Sequence, residues 1–291
     1  MMNDNKQLSV IVPVFNEADY ISQTIKSLNA ILQKMDIEYE IVVVDDGSTD
    51  GSLEKIPELK NLIVLKHRRN KGYGAAIKSG LLTAKYENIC ITDADGTYPL
   101  EMIPKLFSET EDSDMVVGSR TGKNVQYSWL RHIPKFFLRH YVNFITNTKV
   151  PDINSGLRIF KRSKALRFFK LYPDGFSLTT TITIAFITNG YSISFHPISY
   201  GKRVGHSKIQ PIRDTLRFFQ LITRLGMYFA PLKVLLPFIL GLGMLFIVSF
   251  GYDILCLRDI TDKSVLLLLF TLNTTFFALL ADMIHKSGKI N

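Results

Sequence analysis

Two apolar stretches near the C-terminus constrain this 291-residue chain more than any other feature. From Val234 to Leu257 the ionisable side chains are Tyr252, Asp253 and Cys256, all near the far end, and Val265–Ile284 is similar, with Asn273-Thr274-Thr275 in its middle and Asp282 near its end. About 20 helical residues, rising 1.5 Å each, cross a hydrocarbon core of about 30 Å. Both stretches are long enough, and the connection Arg258–Ser264 is short and polar. The expectation is an antiparallel transmembrane hairpin at about 234–257 and 265–284 within a segment 231–291; the alternative is a pair of very apolar core helices. Lys and Arg set the orientation of such spans. Arg213, Arg217, Arg224 and Lys233 precede the first stretch and Lys286 and Lys289 follow the second, while the turn holds only Arg258 and Lys263. Both flanks, and with them the rest of the chain, are expected on the cytoplasmic side.

Residues 211–230 set Arg213, Arg217 and Arg224 among Leu216, Phe218, Phe219, Leu221, Ile222 and Leu225, with Pro211 suited to a first helical turn. A basic, aromatic-rich amphipathic helix beside a span is expected to lie in the membrane interface; the alternative is packing on a soluble domain. At the other end, Leu8–Phe15 is too short for the apolar core of a signal peptide and reads as a buried strand. Cys90 and Cys256 suggest no disulfide framework, so a reducing compartment is expected.

The segment 1–210 alternates strand-like and helix-like runs. Leu8–Phe15, Tyr39–Asp45, Leu62–Leu65, Asn88–Thr92 and Asp114–Gly118 read as strands; Ile21, Ile25, Leu28 and Leu32 repeat at helical spacing, and Ala75–Ala84 is helical in composition. This βαβ rhythm predicts an α/β domain with a mostly parallel sheet flanked by helices. In such sheets ligands bind beyond the carboxyl ends of the strands. Those ends carry Pro13-Val14-Phe15-Asn16-Glu17, then Asp45-Asp46-Gly47-Ser48-Thr49-Asp50, then Asp93-Ala94-Asp95-Gly96. Three acidic clusters at one edge call for a cation or a donor-rich ligand. Asp93 and Asp95 are hard oxygen donors suited to Mg²⁺ or Mn²⁺, ions that bind phosphate oxygens as well; a turn with a capping Asp is the plainer reading.

A net charge of +9 favours anionic partners such as nucleotides, phosphorylated lipids or a membrane surface. Nucleic acid is not expected, because the basic run His67–Lys71 lacks interleaved aromatics. Gly72-x-Gly74 lacks dinucleotide-fingerprint spacing and reads as a tight turn opening a helix. Cys90 reads as a small core residue, and the histidines show no paired metal spacing.

Val-Pro-Val-Phe-Asn-Glu (12–17), Val-Val-Asp-Asp-Gly-Ser-Thr-Asp (43–50), Asn-Lys-Gly-Tyr-Gly-Ala-Ala (70–76) and Asp-Ala-Asp-Gly (93–96) occur in this order. The set resembles the family 2 glycosyltransferases, whose nucleotide-sugar domain has the GT-A fold. Asn154-Ser155-Gly156-Leu157-Arg158 and Arg203-Val204-Gly205-His206-Ser207-Lys208 are similar to the polyprenyl-phosphate sugar synthase branch, which includes the dolichol-phosphate mannose synthases. The resemblance implies that Pro13, Phe15 and Glu17 cup the nucleobase and that Asp45 and Asp46 reach base or ribose. It implies that Asp93 and Asp95 hold the metal against the diphosphate, with Arg203 and Lys208 closing over the donor phosphates. Arg120 would meet the acceptor phosphate with a second cation; Arg131, Lys135 and Arg139 are candidates, Arg131 the favoured one. The third metal-site position, often Gln in the mannose synthases, is Thr97 here, which loosens the link to GDP-mannose.

The implied activity is a metal-dependent, inverting, membrane-bound glycosyltransferase moving one sugar from a nucleotide sugar to a polyprenyl phosphate. Self-association as a homo-oligomer is left open. One rival is a hydroxyl-directed or processive polysaccharide transferase; against it, the chain has no Gln-x-x-Arg-Trp signature and its only tryptophan is Trp129. The other is a catalytically inactive membrane scaffold of the same fold, against which the intact Asp-x-Asp stands.

Overall fold

The computed structural model describes residues 6–122, 140–175, 177–201 and 211–287, and the chain divides into two compact units, Met1–Thr215 and Leu216–Asn291. The first is built on seven strands: β1 Gln7–Val14, β2 Glu38–Asp45, β3 Leu62–Lys66, β4 Asn88–Ile91, β5 Met115–Ser119, β6 Arg158–Lys161 and β7 Ile193–Pro197. They lie in the order β3-β2-β1-β4-β6-β5-β7. The five expected strands are all present. β6 is the one antiparallel member, pairing with β4 (Ile91 opposite Arg158) and β5 (Val117 opposite Arg158), so the sheet is mixed and mostly parallel.

Alternation along β1 divides its buried side chains between two cores. Leu8, Val10, Val12 and Val14 meet the buried stripe Ile21, Ile25, Leu28 and Leu32 of helix α1 (Ile21–Leu32). Ile11 joins Ala76, Ile77 and Leu81 of helix α2 (Tyr73–Thr83) in the other core. Helix α3 (Ile103–Ser108) covers the first layer and α4 (Arg162–Leu166) follows β6 directly. Helix α5 (Leu178–Thr188) is unusual: Leu178 through Phe186 are all buried, so it has no solvent face. Its run of threonines and isoleucines favours strand in isolation, and burial on every side overrides that preference.

Helix α6 (Pro211–Phe229) starts in the first unit and continues into the second, where α7 (Pro231–Tyr252), a five-residue π-helical turn Asp253–Leu257, and α8 (Asp262–Ser287) follow. α7 with its turn and α8 are each long and apolar enough to cross a membrane, and only 11% of the most apolar window of each is buried. Phe238, Ile247, Phe277 and Ile284 are well exposed. So much outward apolar surface is unlike a soluble core helix and suits lipid. The hairpin is antiparallel, with Ser249 bonded to Ser264 at 2.7 Å. Near its turn, Asp253 Oδ2 accepts from the Thr261 amide (3.0 Å) and from the hydroxyls of Thr261 and Ser264 (both 2.6 Å). At the opposite end His285 meets the rings of Tyr228 and Phe229.

Candidate active site

The loops after β1 and β2 are fastened to each other. The amides of Asn16, Glu17 and Ala18 donate to Ser48 Oγ (3.0 Å), Ser52 Oγ (2.8 Å) and Asp50 Oδ2 (3.0 Å), and the Thr49 amide returns a bond to Asn16 Oδ1 (2.9 Å). Ser48, Thr49, Asp50 and Ser52 after the second strand thus hold Asn16, Glu17 and Ala18 after the first. Pro13 is buried opposite Val44; Phe15 and Glu17 are half-buried on the rim. Asp45 is fully buried, with Oδ1 accepting the Ser48 amide at 3.1 Å.

Asp46 has a defined structural task. Its carboxylate accepts the amides of Lys71 (3.0 Å) and Gly72 (2.7 Å) and meets His67 Nδ1 at 2.6 Å; His67 Nε2 in turn lies 2.9 Å from Ser79 Oγ. This fixes the turn that opens α2. Gly72 has φ +107°, and a Cβ there would lie 2.5 Å from the Asp174 carbonyl oxygen. The Gly74 and Ala75 amides donate to the carbonyls of Gly175 (3.2 Å) and Asp174 (2.9 Å). The glycines therefore serve a tight helix start pressed on another segment, as the spacing predicts.

Beyond β4, Asp95 Oδ1 accepts both the amide (3.1 Å) and the hydroxyl (2.6 Å) of Thr97. Asp93 is hydrogen-bonded to Tyr73, whose hydroxyl is pushed well above its usual pKa by burial and by the Asp93 charge. Gly156 lies against the Asp93 carboxylate: a Cβ there would be 3.0 Å from Oδ1 and 3.1 Å from Oδ2. The Gly156 amide donates to Tyr98 Oη at 2.6 Å. Gly156→Ala is therefore expected to leave the fold intact and displace the Asp93 carboxylate by a few tenths of an ångström. A tenfold or greater loss of kcat with little change in melting temperature would show it, since small misplacements at a reacting centre are costly.

Arg120, just past β5, is gripped by Asp152: Nε to Oδ2 at 2.8 Å, Nη2 to Oδ1 at 2.9 Å, and the Arg120 amide to Oδ2 at 3.0 Å. Burial opposes the charge on Asp152, but the guanidinium outweighs it and holds the carboxyl below its usual range. The guanidinium also lies over the Tyr200 ring, 5.3 Å from its centroid. Such a fork-to-fork pair fixes the plane of an arginine.

Behind this pair sits Arg158, wholly buried. Its Nε donates to the Ser155 carbonyl at 3.0 Å and Nη1 to the Thr179 carbonyl and Thr183 Oγ1, both at 2.9 Å; Nη2 also bonds the Ser155 carbonyl. Desolvation pulls its pKa down to about 10. The residue ties the segment 152–156 to the first turn of α5.

Tyr73, Asp93, Tyr98 and Arg120 line one open pocket with Asn154, Gly156, Thr179 and Tyr200. The structure thus brings two of the expected residues, Asp93 and Arg120, to the same space. Arg131, Arg203 and Lys208, with the alternatives Lys135 and Arg139, lie outside the described residues. Tyr73, Tyr98, Asn154, Thr179 and Arg158 carry no chemical signal in the sequence, although Tyr73 and 154–158 lie inside the motifs Asn-Lys-Gly-Tyr-Gly-Ala-Ala and Asn-Ser-Gly-Leu-Arg. Among the described residues no three His, Cys, Asp or Glu side chains gather into a closed metal site. Of the two carboxylates after β4, Asp93 lines the pocket and Asp95 follows two residues on; as hard oxygen donors they suit a Mg²⁺ or Mn²⁺ that shares its coordination with ligand phosphates.

A mostly parallel α/β sheet of this order, with its acidic loops at the carboxyl ends of the strands, is of the GT-A type. The glucosyl-3-phosphoglycerate synthase of Mycobacterium tuberculosis, solved with Mn²⁺, UDP and phosphoglyceric acid, superimposes with a TM-score of 0.56 at 18% identity, covering 76% of this chain and 78% of that one. The family model for glycosyl transferase family 2 matches residues 9–169, and the chain belongs to that family. It is 30% identical to an undecaprenyl-phosphate 4-deoxy-4-formamido-L-arabinose transferase of Pseudomonas fluorescens, over 82% of this chain and 71% of the relative. It is 27% identical to a dodecaprenyl-phosphate galacturonate synthase of Rhizobium johnstonii, over 97% and 88%. Three other relatives are matched over only about half of their length, 49–55%.

Proposed function

We propose that this protein transfers one sugar from a nucleotide sugar to a polyprenyl phosphate, with inversion at the anomeric carbon. The observation that carries the reading is the meeting of Asp93 and Arg120 in one pocket. An acidic group suited to a metal–diphosphate stands beside an arginine whose plane Asp152 has fixed. A guanidinium held in a fixed plane is suited to meet a phosphate. The relatives named above, which use polyprenyl phosphates, support the same acceptor.

In this reaction an oxygen of the lipid phosphate forms a bond to the anomeric carbon, and the bond from that carbon to the nucleoside diphosphate breaks with its electron pair. Two difficulties follow: charge grows on the leaving diphosphate, and two anions must approach. Asp93 and Asp95 would hold Mg²⁺ or Mn²⁺, which supplies charge stabilisation to the diphosphate. Arg203 and Lys208 add cationic charge there, while Arg120 and a partner such as Arg131 neutralise the incoming phosphate, for which guanidinium geometry is well suited. A phosphate monoester is already ionised near neutral pH, so no residue need act as general base. On the donor side, Pro13, Phe15 and Glu17 border the nucleobase, with Asp45 and Asp46 beneath them.

In this reading the catalytic domain is 1–210 and lies on the cytoplasmic side, anchored by 231–291. The helix 211–230 lies in the interface, where the exposure of Phe219, Arg224, Met227 and Tyr228 suits a membrane surface. The polyprenyl tail then stays in lipid while its phosphate enters the pocket.

The test is to incubate the purified full chain in nanodiscs with undecaprenyl phosphate, Mg²⁺ or Mn²⁺ and a panel of nucleotide sugars, and to weigh the lipids by mass spectrometry. One donor should add a single sugar, and EDTA should abolish the product. Donor binding without a heavier lipid would overturn the acceptor; failure to bind any donor would favour an inactive scaffold.

A further inference from the structure

Thr179 opens helix α5, and its side chain is spent differently from those around it. The residue is 2% exposed, lines the pocket, and its hydroxyl makes no hydrogen bond among the described residues. Its neighbours on the helix are engaged: Thr180 Oγ1 donates to Asn154 Oδ1, Thr181 Oγ1 to the Ser177 carbonyl at 3.1 Å, and Thr183 Oγ1 to the Thr179 carbonyl at 2.8 Å. A buried hydroxyl without a partner is destabilising, and a valine of the same shape would avoid that cost. The surroundings nonetheless hold it firmly, because Arg158 Nη1 grips the Thr179 carbonyl at 2.9 Å.

Asn154 complements it. Its Oδ1 is taken by the Thr180 hydroxyl, so its amide hydrogens are what it can offer the pocket. Together these residues set, in the lining of the pocket, a hydroxyl that can donate or accept and an amide donor. Asp93 and Tyr73 stand in the same pocket. Paired neutral donors and acceptors suit vicinal sugar hydroxyls; the charged partner for a phosphate stands at Arg120.

We propose that Thr179, seconded by Asn154, binds a ring hydroxyl of the transferred sugar and thereby helps to set donor specificity. The inference rests on the nucleotide-sugar reading above. It assigns the sugar, as distinct from the nucleotide and the acceptor phosphate, to the first turn of α5.

The experiment is Thr179→Val in the full chain, with three readouts. The first is melting temperature without ligand, which should hold or rise, because an unpartnered hydroxyl is exchanged for a methyl. The second is binding of the nucleotide sugar that wild type uses, chosen from UDP-glucose, UDP-N-acetylglucosamine, UDP-galacturonic acid and GDP-mannose, against the corresponding nucleoside diphosphate. The Kd for the nucleotide sugar should rise about 5- to 30-fold and that for the diphosphate should stay within twofold. The third is KM for undecaprenyl phosphate, which should not move. Equal weakening of sugar and diphosphate, a shift confined to the lipid KM, no change at all, or a large fall in melting temperature would each overturn the assignment. Wild type that binds none of the four donors would overturn the underlying reading as well, so the two failures are told apart.

Discussion

Asp95→Asn is expected to reduce turnover by about 10²–10³-fold, the scale on which removal of a single transition-state electrostatic contact is felt, while leaving the domain folded. The local geometry makes this a clean substitution. Asp95 Oδ1 accepts the amide and hydroxyl of Thr97, and an asparagine carbonyl oxygen in the same place can accept both. The turn after β4 then keeps its shape. What the substitution removes is the negative charge, on which the holding of a divalent cation beside a diphosphate depends. Circular dichroism and melting temperature should match wild type, and excess Mg²⁺ or Mn²⁺ should restore part of the rate. Near-normal turnover at ordinary metal concentration would sink the metal role for this residue.

Arg158→Met should lower stability by about 3 kcal/mol, an apparent fall of roughly 6–12 °C in a domain of this size. Two effects oppose each other. The guanidinium is wholly buried and its pKa is drawn down to about 10, so removing the charge relieves a desolvation cost. Against that, Ser155 loses the two bonds to its carbonyl, and Thr183 and Thr179 lose theirs. Bonds from a charged donor are worth about 1.5–3 kcal/mol each, and a carbonyl stranded in the core costs about 1–3 kcal/mol more. The lost bonds win. Lysine should not rescue, because a point charge cannot span three acceptors on two elements. A melting temperature above wild type would mean that desolvation dominates.

The parts legible in the sequence are those encoded by neighbours along the chain. The parallel strands β1 to β5 are short β-branched runs, and each acidic or polar loop follows its strand directly, so placing Asp93 and Arg120 near strand ends required only the direction of the chain. The α1 stripe at Ile21, Ile25, Leu28 and Leu32 is buried as its spacing implies. What escaped depends on distant contacts. β6 is four residues long and starts with an arginine, a residue seldom buried; it is a strand because β4 and β5 bond it from both sides. α5 has no periodicity to read, since every side is covered. For the same reason Thr179 and Tyr73 gave no chemical signal: an ordinary hydroxyl becomes a site residue only when tertiary packing surrounds it. Asp46 was legible as part of an acidic loop, but its bonds to Lys71 and Gly72 depend on how two loops meet.

The carboxylate of Asp253 bears on how the hairpin enters a bilayer. A peptide group carried through hydrocarbon without a partner costs several kcal/mol, and the start of a helix is where such groups concentrate. Here Asp253, the first residue of the π-helical turn after α7, supplies through Oδ2 the acceptor for the Thr261 amide and for the hydroxyls of Thr261 and Ser264. Its other oxygen, Oδ1, is buried without a partner among the described residues, so the carboxylate, rather than the peptide groups it receives, dominates the cost of carrying this turn through hydrocarbon.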